Sequence, residues 1–110
     1  MLAVKVTIKT DRLRGHKYKE ALSNTIAYGA DIIEKRSKQI VPVRTGFLRD
    51  SIRKIVKKFK AIIGPTAIYG GWVEYGTWKM NAQPYMRPAL DEAKIKIRNY
   101  LKKAIKRINK

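Results

Sequence analysis

Residues 18–39 read YKEALSNTIAYGADIIEKRSKQ, and their spacing decides the architecture. Tyr18, Leu22, Ile26, Gly29, Ile33 and then Ile40 recur every three or four residues, or at twice that interval. This period places them on one face of a helix and predicts a long amphipathic helix from Tyr18 to Gln39. Gly29 inside it costs about 1 kcal/mol relative to alanine, which is tolerable if another backbone packs close by. Pro42 ends the helix, because the residue before a proline avoids the α region.

Upstream, Leu2, Val4, Val6 and Ile8 alternate with Lys5, Thr7 and Lys9, the pattern of a half-buried strand. The polar stretch Asp11–Lys19 then leads into the helix. Downstream, Thr45-Gly46 makes a turn and Phe47–Ser51 one helical turn. The β-branched content favours two strands, at Ser51–Lys57 and Phe59–Gly64. Ile68–Tyr75 is aromatic and glycine-rich and reads either as a short helix or as a third strand, and Thr77–Pro84 reads as a loop.

Pro88 suits the first position of a last helix, with Asp91 and Glu92 in its first turn, where the helix dipole favours acids. Leu90, Ala93, Ile97, Leu101, Ala104 and Ile108 form its apolar stripe. The expected fold is α+β: an N-terminal strand, a long helix, a small antiparallel sheet of two to four strands, and a long C-terminal helix. The chain of 110 residues is one domain's worth, so residues 1–110 are read as a single unit. An apolar fraction of 45% is that of a folded protein.

The charge is unusual: 26 Lys+Arg against 8 Asp+Glu leave +18 at pH 7. Such a chain attracts polyanions, whether nucleic acid, acidic protein surfaces or, behind these, anionic membranes. Cysteine is absent, which excludes a disulfide framework, a thiolate zinc site and a cysteine nucleophile. Lys5 and Lys9 interrupt the first apolar stretch, which is therefore not expected to be a secretory leader. The uncharged stretch Ala61–Val73 is too short to span a bilayer, so no membrane association is expected.

Catalytic constellations are sparse. His16 is the only histidine and sits in a polar segment beside Lys17. Asp91 and Glu92 are adjacent on a helix and point apart. Gly70-Gly71 lacks the Lys-Ser/Thr signature of a phosphate loop. Ser23, Ser37 and Ser51 have no recognisable histidine partner. No catalytic, cofactor or metal site is expected. One enzymatic alternative remains, a toxin-type endoribonuclease using Tyr85, Arg87, Tyr100 and Lys103.

Three features stand out. Lys94, Arg98, Lys102 and Lys106 follow one another at four-residue spacing, and Lys103 and Arg107 flank them. This stripe is either a contact to DNA or an acidic partner, or a solvated outer face. Arg53, Lys54, Lys57, Lys58 and Lys60 load the expected hairpin. Finally, YGGWVEYGTWKMNAQPYMRP (Tyr69–Pro88) concentrates Trp, Tyr, Met and Arg, the residue types of interface cores. Trp72 and Tyr75 are expected to complete a small core. Trp78, Met80, Tyr85 and Met86 are expected to face a partner, since one subunit can hardly bury them all.

The runs VPVRTGFLRDSI (Val41–Ile52), IGP (Ile63–Pro65) and YGGWVEYGTWKMNAQPYMRPALDEA (Tyr69–Ala93) resemble the gp10-like family of tailed-bacteriophage neck and tail-completion proteins. That family's pattern has a P-V-x-T-G-x-L-R-x-S-I block, a Y-x-x-x-V-E-x-G-T block and an A-Q-P-Y/F-M/L-R-P-A-L block, all present here in order. Arg44 departs from it, standing where an acid or other polar residue is expected, with an effect on surface charge alone.

The resemblance implies a non-enzymatic virion protein, assembled in the host cytoplasm. It implies a ring, commonly a hexamer, that joins a DNA-filled head to a tail. The implied partners are further copies of itself, other head-completion and tail proteins, and nonspecific DNA in the lumen. Trp78, Met80, Gln83, Tyr85, Met86 and Arg87 are the candidate interface residues. Pro42, Thr45, Gly46, Arg49, Trp72, Glu74, Gly76, Thr77, Pro84 and Pro88 are the candidate structural motif. Gly46 is expected to supply the backbone freedom of a turn. Glu74 needs a partner if buried, with Arg49 or Arg87 as candidates. Lys94, Arg98, Lys102, Lys103, Lys106 and Arg107 are the candidate contacts to DNA or an acidic partner. The alternative is a small basic DNA- or RNA-binding protein.

Overall fold

The computed structural model describes residues 2–7, 15–42, 46–67, 70–79 and 81–109. In chain order these form β1 (Val4–Thr7), α1 (His16–Ile40), α2 (Phe47–Ser51), β2 (Ile52–Lys57), β3 (Lys60–Pro65), α3 (Gly70–Tyr75) and α4 (Met86–Ile108). Of the aromatic stretch that reads two ways, Gly70–Tyr75 is the helix α3, while Ile68 and Tyr69 lie outside the described residues; the third strand of the sheet is the N-terminal β1.

α1 buries the stripe its sequence announces: Leu22, Ile26, Gly29 and Ile33, joined by Ala21, Thr25, Ala30 and Ser37. The two buried hydroxyls are satisfied within the helix, Thr25 Oγ1 donating to the Ala21 carbonyl at 2.8 Å and Ser37 Oγ to that of Glu34 at 2.9 Å. The Val41 N–H closes the last turn on the Ser37 carbonyl at 2.9 Å, and Pro42 follows. Gly46 adopts φ 69° before α2, the left-handed conformation expected of this turn.

The sheet order is β1-β3-β2, antiparallel throughout. Lys54 lies opposite Ile63, which lies opposite Val4; Val56, Ala61 and Val6 form the next row on the same face. This face packs on the helices: Val4, Ala61 and Ile63 are buried, and Lys54 reaches Asp31 of α1 at 2.9 Å. One cluster joins Val4, Ile26, Ala30, Ile33, Val41, Leu48, Ile52, Ala61 and Ile63 to Tyr85, Met86, Ala89 and Ala93.

α4 lies antiparallel along α1. Arg36 near the end of α1 meets Glu92 near the start of α4, Tyr28 stacks on Tyr100 at 4.4 Å between ring centroids, and Tyr18 donates to Asn109. Gly29 is explained by this crossing, where an added Cβ would stand 2.8 Å from Ile97 Cδ1. A side chain occupies the space expected for a backbone. The distal half of α4 has no fully buried residue, so this helix pair outruns the sheet in a molecule 55 Å long.

α4 begins at Met86, two residues before the expected start at Pro88, and its first turn holds no acid. Asp91 and Glu92 fall in the second turn. The dipole and the free N–H groups at this helix start are satisfied from outside the helix.

Candidate interaction surface

The segment from α3 to the start of α4 is built around Glu74. Its side chain is buried, at 4% exposure. Glu74 Oε1 accepts the backbone N–H groups of Tyr85 at 2.9 Å and Met86 at 2.7 Å, and Oε2 accepts that of Arg87 at 3.2 Å. The next residue, Pro88, has no N–H to satisfy. One carboxylate thus caps a helix start that carries no side-chain cap of its own. Its negative charge also sits where the dipole is positive. The expected pairing of Glu74 with the Arg49 or Arg87 side chain does not form. Arg49 Nε lies 3.4 Å from Asp50 and Arg87 Nε 3.8 Å from Asp91.

Three further contacts lock the segment. Tyr85 Oη donates to the Gly70 carbonyl at 3.0 Å, the Gln83 N–H to that of Val73 at 2.8 Å, and the Gly76 N–H to that of Trp72 at 2.8 Å. Gly76 turns out of α3 at φ 79°. A Cβ on Gly70 would stand 2.4 Å from Pro65 Cγ and 2.9 Å from Tyr85 Oη, so only glycine lets Tyr85 in.

This lock reverses the expected roles of four aromatic and methionine residues. Tyr85 and Met86, expected at a partner surface, are buried at 0% and 1% exposure. Trp72 and Tyr75, expected in the core, stand 58% and 74% exposed. The reason is geometric: α3 turns Val73 and Glu74 inward to meet α4, and the helical period then turns Trp72 and Tyr75 outward on one face. Trp78 is 90% exposed, with Lys79 Nζ 4.7 Å from its ring centroid. Thr77, Gln83, Pro84 and Arg87 are also exposed, although the Arg87 N–H is engaged, and Pro88 is half-buried. Thr45 and Met80 lie outside the described residues.

Trp72 and Tyr75 on α3, and Trp78 just beyond it, are therefore large apolar groups exposed beside the Glu74 contacts. Large apolar side chains displayed this way are the residue types found at the centres of protein interfaces. Beside it, Leu2, Val4, Tyr75, Met86 and Leu90 line part of a groove of about 180 Å³ between β1, α3 and α4.

The basic residues take two positions. On α4, Lys94, Arg98, Lys102, Lys103, Lys106 and Arg107 are exposed, with Lys94 3.6 Å from Asp91. On the hairpin, Lys54 is engaged by Asp31 at 2.9 Å, while Arg53, Lys57 and Lys58 are exposed. The Asp31 carboxyl is held below its ordinary range by hydrogen bonds from Lys54 and Lys35. The Glu92 carboxyl is lowered in the same way by Arg36, whose Nε and Nη2 meet its two oxygens at 2.6 and 3.3 Å.

Among the described residues, no group of three or more His, Cys, Asp or Glu could hold a metal ion. Among the helices described, none is long and apolar enough to cross a membrane. Tyr85, buried and bonded to Gly70, cannot join Arg87, Tyr100 and Lys103 in a solvent-facing ribonuclease site.

The fold is that of a small basic α+β protein with an exposed aromatic cluster beside α3. Residues 7–76 match the family model described as "Bacteriophage HK97-gp10, putative tail-component", and the chain belongs to this HK97-gp10-like family. The match takes in α1 to α3 and ends at Gly76, leaving α4 outside it. No curated protein and no solved structure matches the chain.

Proposed function

We propose that this protein is a non-enzymatic structural subunit of a tailed phage or prophage. It forms a ring in the neck, of six copies when assembled, and joins the DNA-filled head to the tail. The observation that carries this reading is the outward display of Trp72, Tyr75 and Trp78 on the Glu74-fastened segment. A ring needs heterologous contacts, in which one surface of each copy meets a different surface of the next. The aromatic display supplies one such surface, and the groove between β1, α3 and α4 is a candidate for the other.

Trp78→Ala tests the ring. Its side chain is exposed, so the fold should survive while the assembled species is lost in light scattering and electron microscopy. A variant that assembles like the wild type overturns this placement of the interface. Deleting the gene from its phage or prophage tests the joining role. Separate filled heads and free tails are expected, and normal infectious particles would overturn it.

The acid-free distal half of α4 favours DNA as a lumen contact. Binding that rests on phosphate neutralisation alone falls steeply with salt. A salt titration of DNA binding should show that fall, with a shallower slope after charge removal at Lys102 and Lys106.

A further inference from the structure

The sheet has two faces, and the helices cover one. On the other, Lys5, Ile62 and Ile55 form a row across all three strands. Thr7, Lys60 and Lys57 form the row beside it, and Arg53 stands opposite Gly64 on the far side. This face therefore has an apolar centre, Ile62 and a 59% exposed Ile55, framed by Lys5, Arg53, Lys57 and Lys60. None of the three strands contains an acid.

Lys57 and Lys60 are directly opposite one another, an arrangement that destabilises a hairpin. Lysines on an edge strand are often there to block strand addition, which would account for Lys57 on β2. That explanation does not reach Lys60, because β3 is the central strand. A ligand carrying negative charge would relieve the repulsion. A second copy of this chain, also at +18, offers the wrong sign. The face rows hold no aromatic ring on which bases could stack, and a phosphate backbone leaves the isoleucine pair unused. An apolar centre within a charged rim is the anatomy of a protein–protein contact.

We propose that this open face docks an acidic surface of a different structural protein of the same particle. Its carboxylates meet Lys5, Arg53, Lys57 and Lys60 around an apolar contact at Ile55 and Ile62. The inference rests on the reading above that the chain works inside a phage particle.

Zero-length carbodiimide coupling joins an amine to a carboxylate, so it reports this contact directly. Applied to purified particles, it should couple Lys57 or Lys60 to an Asp or Glu of another virion protein. Coupling to a second copy of this chain, or none with both amines as reactive as in the free protein, overturns the proposal. So does protection that nuclease treatment removes, which would assign the face to nucleic acid.

Lys60→Glu separates docking from folding. It replaces a like-charged cross-strand pair with an opposite one, so the melting midpoint should hold or rise. Incorporation into particles should nevertheless fall about tenfold, with ring assembly of the isolated protein unchanged. Incorporation at wild-type level overturns this inference alone. Absence of the wild-type chain from particles overturns both it and the proposed function.

Discussion

Glu74 and Glu92 are both carboxylates that tie one helix to another, yet they do different work. Glu92 is exposed and grips Arg36 through two oxygens in a geometry that looks strong. Glu74 is buried and, among the described residues, pairs with no cation but with three backbone N–H groups at the start of α4. Water competes fully for the first and scarcely for the second. Exposed ion pairs contribute little for that reason. Removing the partner of buried donors costs their whole desolvation. The segment that presents the aromatic surface is fastened by the second kind of contact.

The sharpest way to break the contrast is Glu74→Ala. It leaves three N–H groups at a buried helix start without an acceptor, and should cost about 3 kcal/mol or more in denaturant unfolding. Glu74→Gln keeps an oxygen for Tyr85 and Met86 but loses the charge facing the dipole, so its loss should be smaller. Gly70→Ala comes next. Its Cβ would press on the rigid Pro65 ring, costing roughly 1–3 kcal/mol. Tyr85→Phe removes the bond to the Gly70 carbonyl while the ring stays buried, costing about 1 kcal/mol. In all three positions Trp72 and Tyr75 should become more mobile, which tryptophan and tyrosine fluorescence can follow.

Glu92→Gln stands at the other end. Its melting midpoint should match the wild type, and a large drop would erase the contrast. The pH dependence runs the same way. Asp31 and Glu92 have folded-state values below the ordinary 3.8 and 4.5. Their stabilisation is therefore complete above that range and is lost as pH falls through it. A melt series from pH 6 to pH 3 should show only a shallow decline from these two groups, made shallower still by Glu92→Gln.

Much of the fold was legible because it is local. The stripe through Leu22, Ile26 and Ile33 needs only the helical period, and its expected ends lie within two residues of those of α1. The hairpin followed from β-branched runs, and the Gly46 turn from its left-handed requirement. The surface was not legible in the same way. Hydropathy ranks Trp72 and Tyr85 alike, and nothing near either residue says which one is buried.

One signal was available. No Ser, Thr, Asp or Asn precedes Met86 in the capping position, which Tyr85 occupies. An uncapped, apolar helix start asks for an acceptor from elsewhere, and Glu74, set between Val73 and Tyr75, was the acid to consider. The expectation went to an arginine because a charge suggests a countercharge, whereas a buried carboxylate is satisfied as well by N–H groups.

Local patterning along the chain is enough for the α+β class, the two long helices and their apolar stripes. The same holds for the concentration of positive charge, because periodicity and composition are properties of neighbours along the chain. Which aromatic residues are displayed, what satisfies Glu74, and which lysines share a face with Ile55 and Ile62 follow from packing across the chain. Those outcomes depend on contacts between residues far apart in the chain, such as Gly70 with Tyr85 and Lys5 with Ile62. Such contacts exist only once the sheet register and the docking of α3 are set.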